Sequence, residues 1–399
     1  MDERDFDASR AISRRRLLGT AAGAAIAGPA LGVEEDPTRV QGRAPAPVGQ
    51  RSPFARPERK PLAGIVSFTP LEELHGTLTP ADLHFERHHA GIPAIDPARH
   101  DLLIHGMVER PLKFTVADLL RFPAQTRIAF IECSGNYFPR DGDRSPVHQI
   151  CGLTSQSEWT GVPLATLLRE AGVRPKAQWI IAEGRDAAVL HRSVPIAKAL
   201  DDALVVYAQN GEAIRPAQGY PMRLLLPGWE GNTNVKWLRR LEVTDRPAMG
   251  REETAKYTEP MLDNSIRQFS FEVDARSIIT SPSCPAQLEP GWHEIRGIAW
   301  SGRGRIERVE VSTDGGRSWQ PARLQGPVLP KAHTRFGLPW RWDGRATELL
   351  SRAIDETGYV QPTLREILKT RGPGSGPYHF NPITGWEVRA DGELRFSVP

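Results

Sequence analysis

Cys133 stands in Ile131-Glu132-Cys133-Ser134-Gly135-Asn136, directly after the apolar run Ile128 to Ile131. An apolar run that breaks into small, turn-forming residues predicts a thiol at the end of a buried strand, where the backbone can crowd against a ligand. A buried structural cysteine is the competing reading. What changes the balance is the company of other chemistry-bearing segments. Phe85-Glu86-Arg87-His88-His89 precedes it; Glu183-Gly184-Arg185-Asp186, Ser193-Val194-Pro195, the block from Gly219 to Trp229 with Arg223 inside it, and Val235-Lys236-Trp237-Leu238 follow in that order. Cations, a carboxylate, histidines and a thiol spread over so many segments can meet only if a fold brings them together.

The elements that must do this are mixed. Thr115 to Leu120 and Pro163 to Ala171 predict short amphipathic helices, the second closed by Gly172. Gln178 to Ala182 predicts a strand, and Ala203 to Ala208 a strand that runs into a tight turn at Asn210-Gly211. The region lacks the regular alternation of a doubly wound sheet and reads as α+β. Past about Phe269 the pattern becomes all-β. Trp292 to Trp300, Ile306 to Ser312 and Ser318 to Leu324 predict short strands, with Asp314-Gly315-Gly316 as a hairpin turn, which suits an immunoglobulin-like sandwich. No G-x-G-x-x-G precedes a helix, so a nicotinamide cofactor has no foothold.

Composition narrows the function classes. The chain has 399 residues, 39% hydrophobic and 25% charged, enough for two to three globular domains. With 36 Gly and 35 Pro it is too rich in turn residues for a helical bundle. Three cysteines exclude a disulfide scaffold and a four-cysteine zinc or iron–sulfur site, and they leave open whether Cys151 and Cys284 pair. A net charge of +3 makes no electrostatic case for nucleic acid. No run is long and apolar enough to span a membrane stably. The first 33 residues read as a twin-arginine export signal, with Ser13-Arg14-Arg15-Arg16-Leu17-Leu18 before a mild run of Ala and Gly. That places the protein in the periplasm, and it suits a protein folded around a cofactor before export. Residues 34–61, rich in Pro, Arg and Gln, read as a linker or extended arm.

The ordered segments, together with Glu158-Trp159-Thr160-Gly161-Val162-Pro163-Leu164 and Ile298-Ala299-Trp300-Ser301-Gly302 to Trp319, resemble the sulfite oxidase family of mononuclear molybdenum enzymes. The resemblance covers about Leu62 to the C-terminus. Through Arg87-His88-His89-Ala90-Gly91 and the absence of a haem domain, it leans to the sulfane dehydrogenase branch. It implies an α+β molybdopterin-binding domain over 62–265 and a β-sandwich dimerisation domain over 266–399. By that resemblance Cys133 binds molybdenum, whose other sulfurs come from one molybdopterin. Phe85, His89, Asp186, Arg223 and Lys236 match the pterin pocket, Arg87 the substrate-facing arginine and Tyr257 the active-site tyrosine.

Two departures shape the expected substrate. Animal sulfite oxidases have an arginine five residues after the metal cysteine, and this chain has Phe138; Gln218 replaces a histidine. A pocket with one arginine fewer grips a small dianion less well. The expectation is therefore periplasmic oxidation of sulfane sulfur held on a carrier protein during thiosulfate oxidation. Dehydrogenation of free sulfite, or sulfoxide reduction, is the alternative. No C-x-x-C-H haem motif occurs in the sequence, which implies a separate cytochrome c subunit as electron acceptor, in a homodimer or heterotetramer.

Overall fold

The computed structural model describes residues 41–62, 64–136, 144–372, 378 and 380–399. The export signal and Phe138 lie outside the described residues. The chain divides into two units, 1–55 and 56–399. In the first, residues 41–55 form no helix or strand, and the Ala55 N–H closes a turn on the Ser52 carbonyl at 3.0 Å. In the second, Lys60 and Pro61, expected to belong to the arm, already open the strand Lys60–Leu62, which pairs with Val66–Phe68.

Two five-stranded sheets build the α+β part of the large unit. One runs in the order Glu212–Ala213, Leu204–Gln209, Thr154–Pro163, Gln125–Glu132, with Arg223–Leu225 also paired to Leu204–Gln209. The strand Gln125–Glu132 is buried on both faces over its last four residues, which is why Ile128 to Ile131 reads as an unbroken apolar run rather than an alternation. The other sheet has the order Leu112–Thr115, Asp101–Gly106, Leu238–Thr244, Trp179–Gly184, His191–Pro195. Its pair Asp101–Gly106 and Leu238–Thr244 is parallel, so the chain between them must cross over, and the whole first sheet is built within that crossover.

The helices follow local chemistry. Thr115 caps Val116–Leu119 with a reciprocal Thr115/Asp118 box. Leu164–Ala171 buries Leu164, Leu167, Leu168 and Ala171, the spacing of one helical face, with roughly 1.5–3 kcal/mol for each fully buried leucine. It stops at Gly172, whose φ of 72° is the left-handed value that a residue with a Cβ avoids.

Beyond residue 275 the chain forms two antiparallel sheets. One is ordered Arg276–Ser281, Gly291–Trp300, Thr334–Trp342, Arg323–Gln325; the other Gln320–Pro321, Ile306–Ser312, Thr347–Asp355, Thr384–Val388, Leu394–Ser397. The single strand expected over Ser318 to Leu324 is split between them: Gln320–Pro321 pairs with Ile306–Ser312, and Arg323–Gln325 with Thr334–Trp342. Pro321 has no N–H to extend a ladder, and the chain crosses there to the other sheet. The helix Leu364–Arg371 was not expected, although its Thr363/Glu366 capping box is legible. The sandwich core around Ile295, Trp300, Phe336 and Trp386 continues into Leu71, Phe130, Val147 and Ile150 of the α+β part, so the two parts share one core. Cys151 and Cys284 are free thiols: Cys151 Sγ accepts from Arg276 Nη2 at 3.0 Å, and Cys284 Sγ donates to the Arg144 carbonyl at 2.7 Å. No helix among the described residues is long and apolar enough to cross a membrane.

Candidate active site

Cys133 follows directly on the strand Gln125–Glu132. Its N–H donates to the Leu153 carbonyl and its own carbonyl accepts the Asn136 N–H, both at 2.9 Å, which fixes the turn through Ser134 and Gly135. Gly231 crosses this turn so closely that a Cβ there would lie 2.7 Å from the Glu132 carbonyl oxygen, so only glycine lets the two segments meet. The thiol lines a cavity that is open to solvent and walled by charged, aromatic and amide side chains. Burial pushes the thiol up to about 11, while the nearby Arg87 charge pulls the other way.

All eight residues expected at the site line this one cavity: Phe85, Arg87, His89, Cys133 and Asp186 from the first half of the chain, Arg223, Lys236 and Tyr257 from the second. Two of them form a buried cationic pair. Arg223 donates to the Gln218 carbonyl and the Asn234 carbonyl, both at 2.9 Å, and stacks on Trp159, while its buried Nε has no hydrogen-bond partner among the described residues. Lys236 Nζ donates to His88 Nδ1 at 2.9 Å and to the carbonyls of Ala217 and Arg87 at 3.0 and 3.3 Å. Burial lowers Arg223 to about 9, and burial together with Arg223 takes Lys236 well below its ordinary value. Two desolvated cations donating to neutral groups make a site suited to an anionic ligand.

The remaining residues form the walls. Phe85 is fixed from both sides, its N–H on Ser155 Oγ at 2.9 Å and its carbonyl accepting the Gln218 amide at 2.7 Å. Gln218 thus ties the Phe85 segment to the Arg223 guanidinium, donating to the one and accepting from the other, a role its reading as a lost histidine did not suggest. Asp186 accepts the Leu190 N–H at 3.2 Å. The Tyr257 hydroxyl and His89 Nε2 are in hydrogen-bond contact at 3.4 Å, and burial raises the Tyr257 pKa, so the phenol is neutral. Tyr378 adds a second ring 5.4 Å from Tyr257. His88 was overlooked. Burial and Lys236 lower it to about 3, so it is neutral, accepting from Lys236 at Nδ1 and donating from Nε2 to Glu86 at 3.0 Å. Its place inside a quoted motif was the available signal.

Among the described residues no cluster of three or more His, Cys, Asp or Glu side chains could hold a metal by itself. A metal at Cys133 would take its other ligands from a cofactor, and the Arg223/Lys236 pair suits a phosphorylated one. The chemistry of the donors therefore fits molybdopterin. Family models match accordingly: an oxidoreductase molybdopterin binding domain over 89–252 and a Mo-co oxidoreductase dimerisation domain over 267–385. Fold and site together define a molybdopterin oxidoreductase.

Relatives narrow this. The chain is 32% identical to chicken (Gallus gallus) sulfite oxidase over 380 residues, covering 84% of this chain and 81% of that one. It is 31% identical to a nitrate reductase [NADH] of Ulva prolifera, of which it spans only 38%. The structure of the sulfane dehydrogenase SoxCD from Paracoccus pantotrophus is similar at 43% identity and a TM-score of 0.88, over 94% of this chain and 100% of that one. The chain belongs to the sulfite oxidase family, and its cofactor is molybdenum carried by molybdopterin.

Proposed function

We propose that this protein oxidises sulfane sulfur bound to a carrier protein in the periplasm, during thiosulfate oxidation, and passes the electrons to a cytochrome c subunit. The observation that carries the reading is the Cys133 end of the cavity. There Arg87 supplies positive charge close enough to act on the thiol and the neutral phenol of Tyr257 lines the wall; in the sequence, Phe138 stands five residues after Cys133, where sulfite oxidases of animals have an arginine. Likeness to a sulfane dehydrogenase over nearly the whole chain supports the same choice.

In this reading Cys133 binds the molybdenum, Arg223 and Lys236 hold the terminal phosphate, Asp186 takes a ring N–H, and Phe85 and His89 close the pterin pocket. When bound, the cofactor supplies oxygen transfer to the substrate's sulfur and accepts two electrons. Arg87 balances the substrate's negative charge, and the Tyr257 hydroxyl donates a hydrogen bond to it. The Arg14-Arg15-Arg16 segment supports export.

Phe138→Arg tests the substrate. A charge-assisted donor is worth roughly 1.5–3 kcal/mol, offset by the cost of desolvating a guanidinium. The ratio of kcat/KM for free sulfite to that for carrier-bound sulfane should rise about tenfold, or about 1.4 kcal/mol. A wild type that already prefers free sulfite, or an unchanged ratio in the fully loaded variant, overturns the choice of substrate.

The sandwich, matched by a dimerisation-domain model, pairs two copies in this reading. Sedimentation of the purified chain at micromolar concentration should give a dimer. A monodisperse monomer would refute the pairing.

A further inference from the structure

Behind Tyr257 lies a buried guanidinium that none of these roles uses. Arg192, on the strand His191–Pro195, is 1% exposed, and its Cζ sits 4.7 Å from the centroid of the Tyr257 ring, a cation–π contact. Its Nε lies 3.3 Å from Glu253 Oε1, a carboxylate that is equally buried and also accepts the Ser193 N–H at 2.8 Å. Its Nη1 donates to Asn232 Oδ1. Asn232 Nδ2 in turn donates to Ser134 Oγ at 3.0 Å and to Glu230 Oε2 at 2.8 Å.

These contacts run without a gap from the phenol to the residue beside Cys133. They also use what is particular to arginine: a planar fork can stack on a ring, pair with a carboxylate and donate to an amide at once, where an ammonium cannot. Glu253 belongs to the π-turn Glu252–Lys256, which ends at Tyr257, so the carboxylate that neutralises Arg192 and the ring it faces are four residues apart on one segment. The ion pair thereby fixes the segment that presents the phenol.

We propose that Arg192 is a positioning residue, holding the Tyr257 ring at the cavity wall and coupling it through Asn232 to the Cys133 turn. The inference rests on Tyr257 acting on the substrate. Removing Arg192 alone strands Glu253 as an uncompensated buried charge, so the test uses the paired variant Arg192→Met/Glu253→Gln in the full chain, with cofactor content measured.

With 3-fluorotyrosine at position 257, fluorine NMR should give one narrow resonance with the native pair, and a shifted, broadened one in the paired variant. In parallel, kcat should fall about tenfold with KM nearly unchanged, and the paired change should add nothing in a Tyr257→Phe background. Arg192→Lys, which keeps the charge, should restore part of the rate. An unchanged fluorine resonance overturns the positioning role even where activity drops, as does a full additional loss in the Tyr257→Phe background. An altered resonance in a protein whose Tyr257→Phe variant turns over normally leaves the positioning intact and refutes Tyr257's part in the reaction.

Discussion

Cys133→Ser is expected to yield a folded chain that retains the pterin and turns over at least about a hundredfold more slowly. The fold should survive because serine nearly matches cysteine in size and the turn is held by the main chain, through the 2.9 Å bonds to Leu153 and Asn136. The pterin should stay because its proposed anchors, Arg223 and Lys236, are on other segments. Activity should go for two reasons. A hydroxyl is a hard donor where molybdenum needs a soft one. It also gives up its proton less readily than a thiol, and this site already opposes thiolate formation, with burial raising the thiol to about 11, so that only metal binding displaces the proton. Molybdenum and pterin content, read beside the rate of sulfur oxidation, check the result. Near-normal turnover would remove Cys133 as the metal ligand, and the proposed site would lose its centre.

How much of this was legible in the sequence depended on the range of the interaction. Cys133 at the end of a buried strand was readable because both signals, the apolar run and the turn, are local. The same holds for Leu164–Ala171, which shows its buried face and its terminal glycine within nine residues. Arg192 was not legible. A basic residue in a short strand reads by default as solvent-facing, and it points inward here because Glu253, 61 positions later, neutralises it. Gln218 showed only as a missing histidine, and its bond to the Phe85 carbonyl spans 133 positions. Convergence of the eight expected residues on one cavity came from the resemblance and the fold, since no spacing rule links Phe85 to Tyr257. The split strand was missed because alternation says where a strand lies but not which sheet it joins.

Arg276→Met is expected to cost about 3–5 kcal/mol of unfolding stability, the scale for stripping one partner from a buried ion pair. Arg276 opens the first strand of the sandwich and is 3% exposed. Its Nη1 donates to Glu132 Oε1 at 2.9 Å and to the Asn136 carbonyl at 2.8 Å. The Glu132 carboxylate, one residue before Cys133, also accepts from Trp300 Nε1 at 2.6 Å and from Asn136 Nδ2 at 2.9 Å. Asn136 Oδ1 holds the Leu153 N–H at 2.7 Å, and the Leu153 carbonyl holds the Cys133 N–H. The sandwich therefore grips the turn that carries the thiol, and methionine in place of the guanidinium would fill its volume while stripping the buried Glu132 carboxyl of its cation and donor. Denaturant unfolding should show the loss, and molybdenum content should fall with it because the turn is slackened. Glu132→Gln combined with Arg276→Met should recover at least half of the stability, since neither partner then remains as a buried charge. A cost for the single variant below about 1 kcal/mol, the scale of an exposed pair, would mean that the shared apolar core alone joins the two parts and that the Cys133 turn is held without the sandwich.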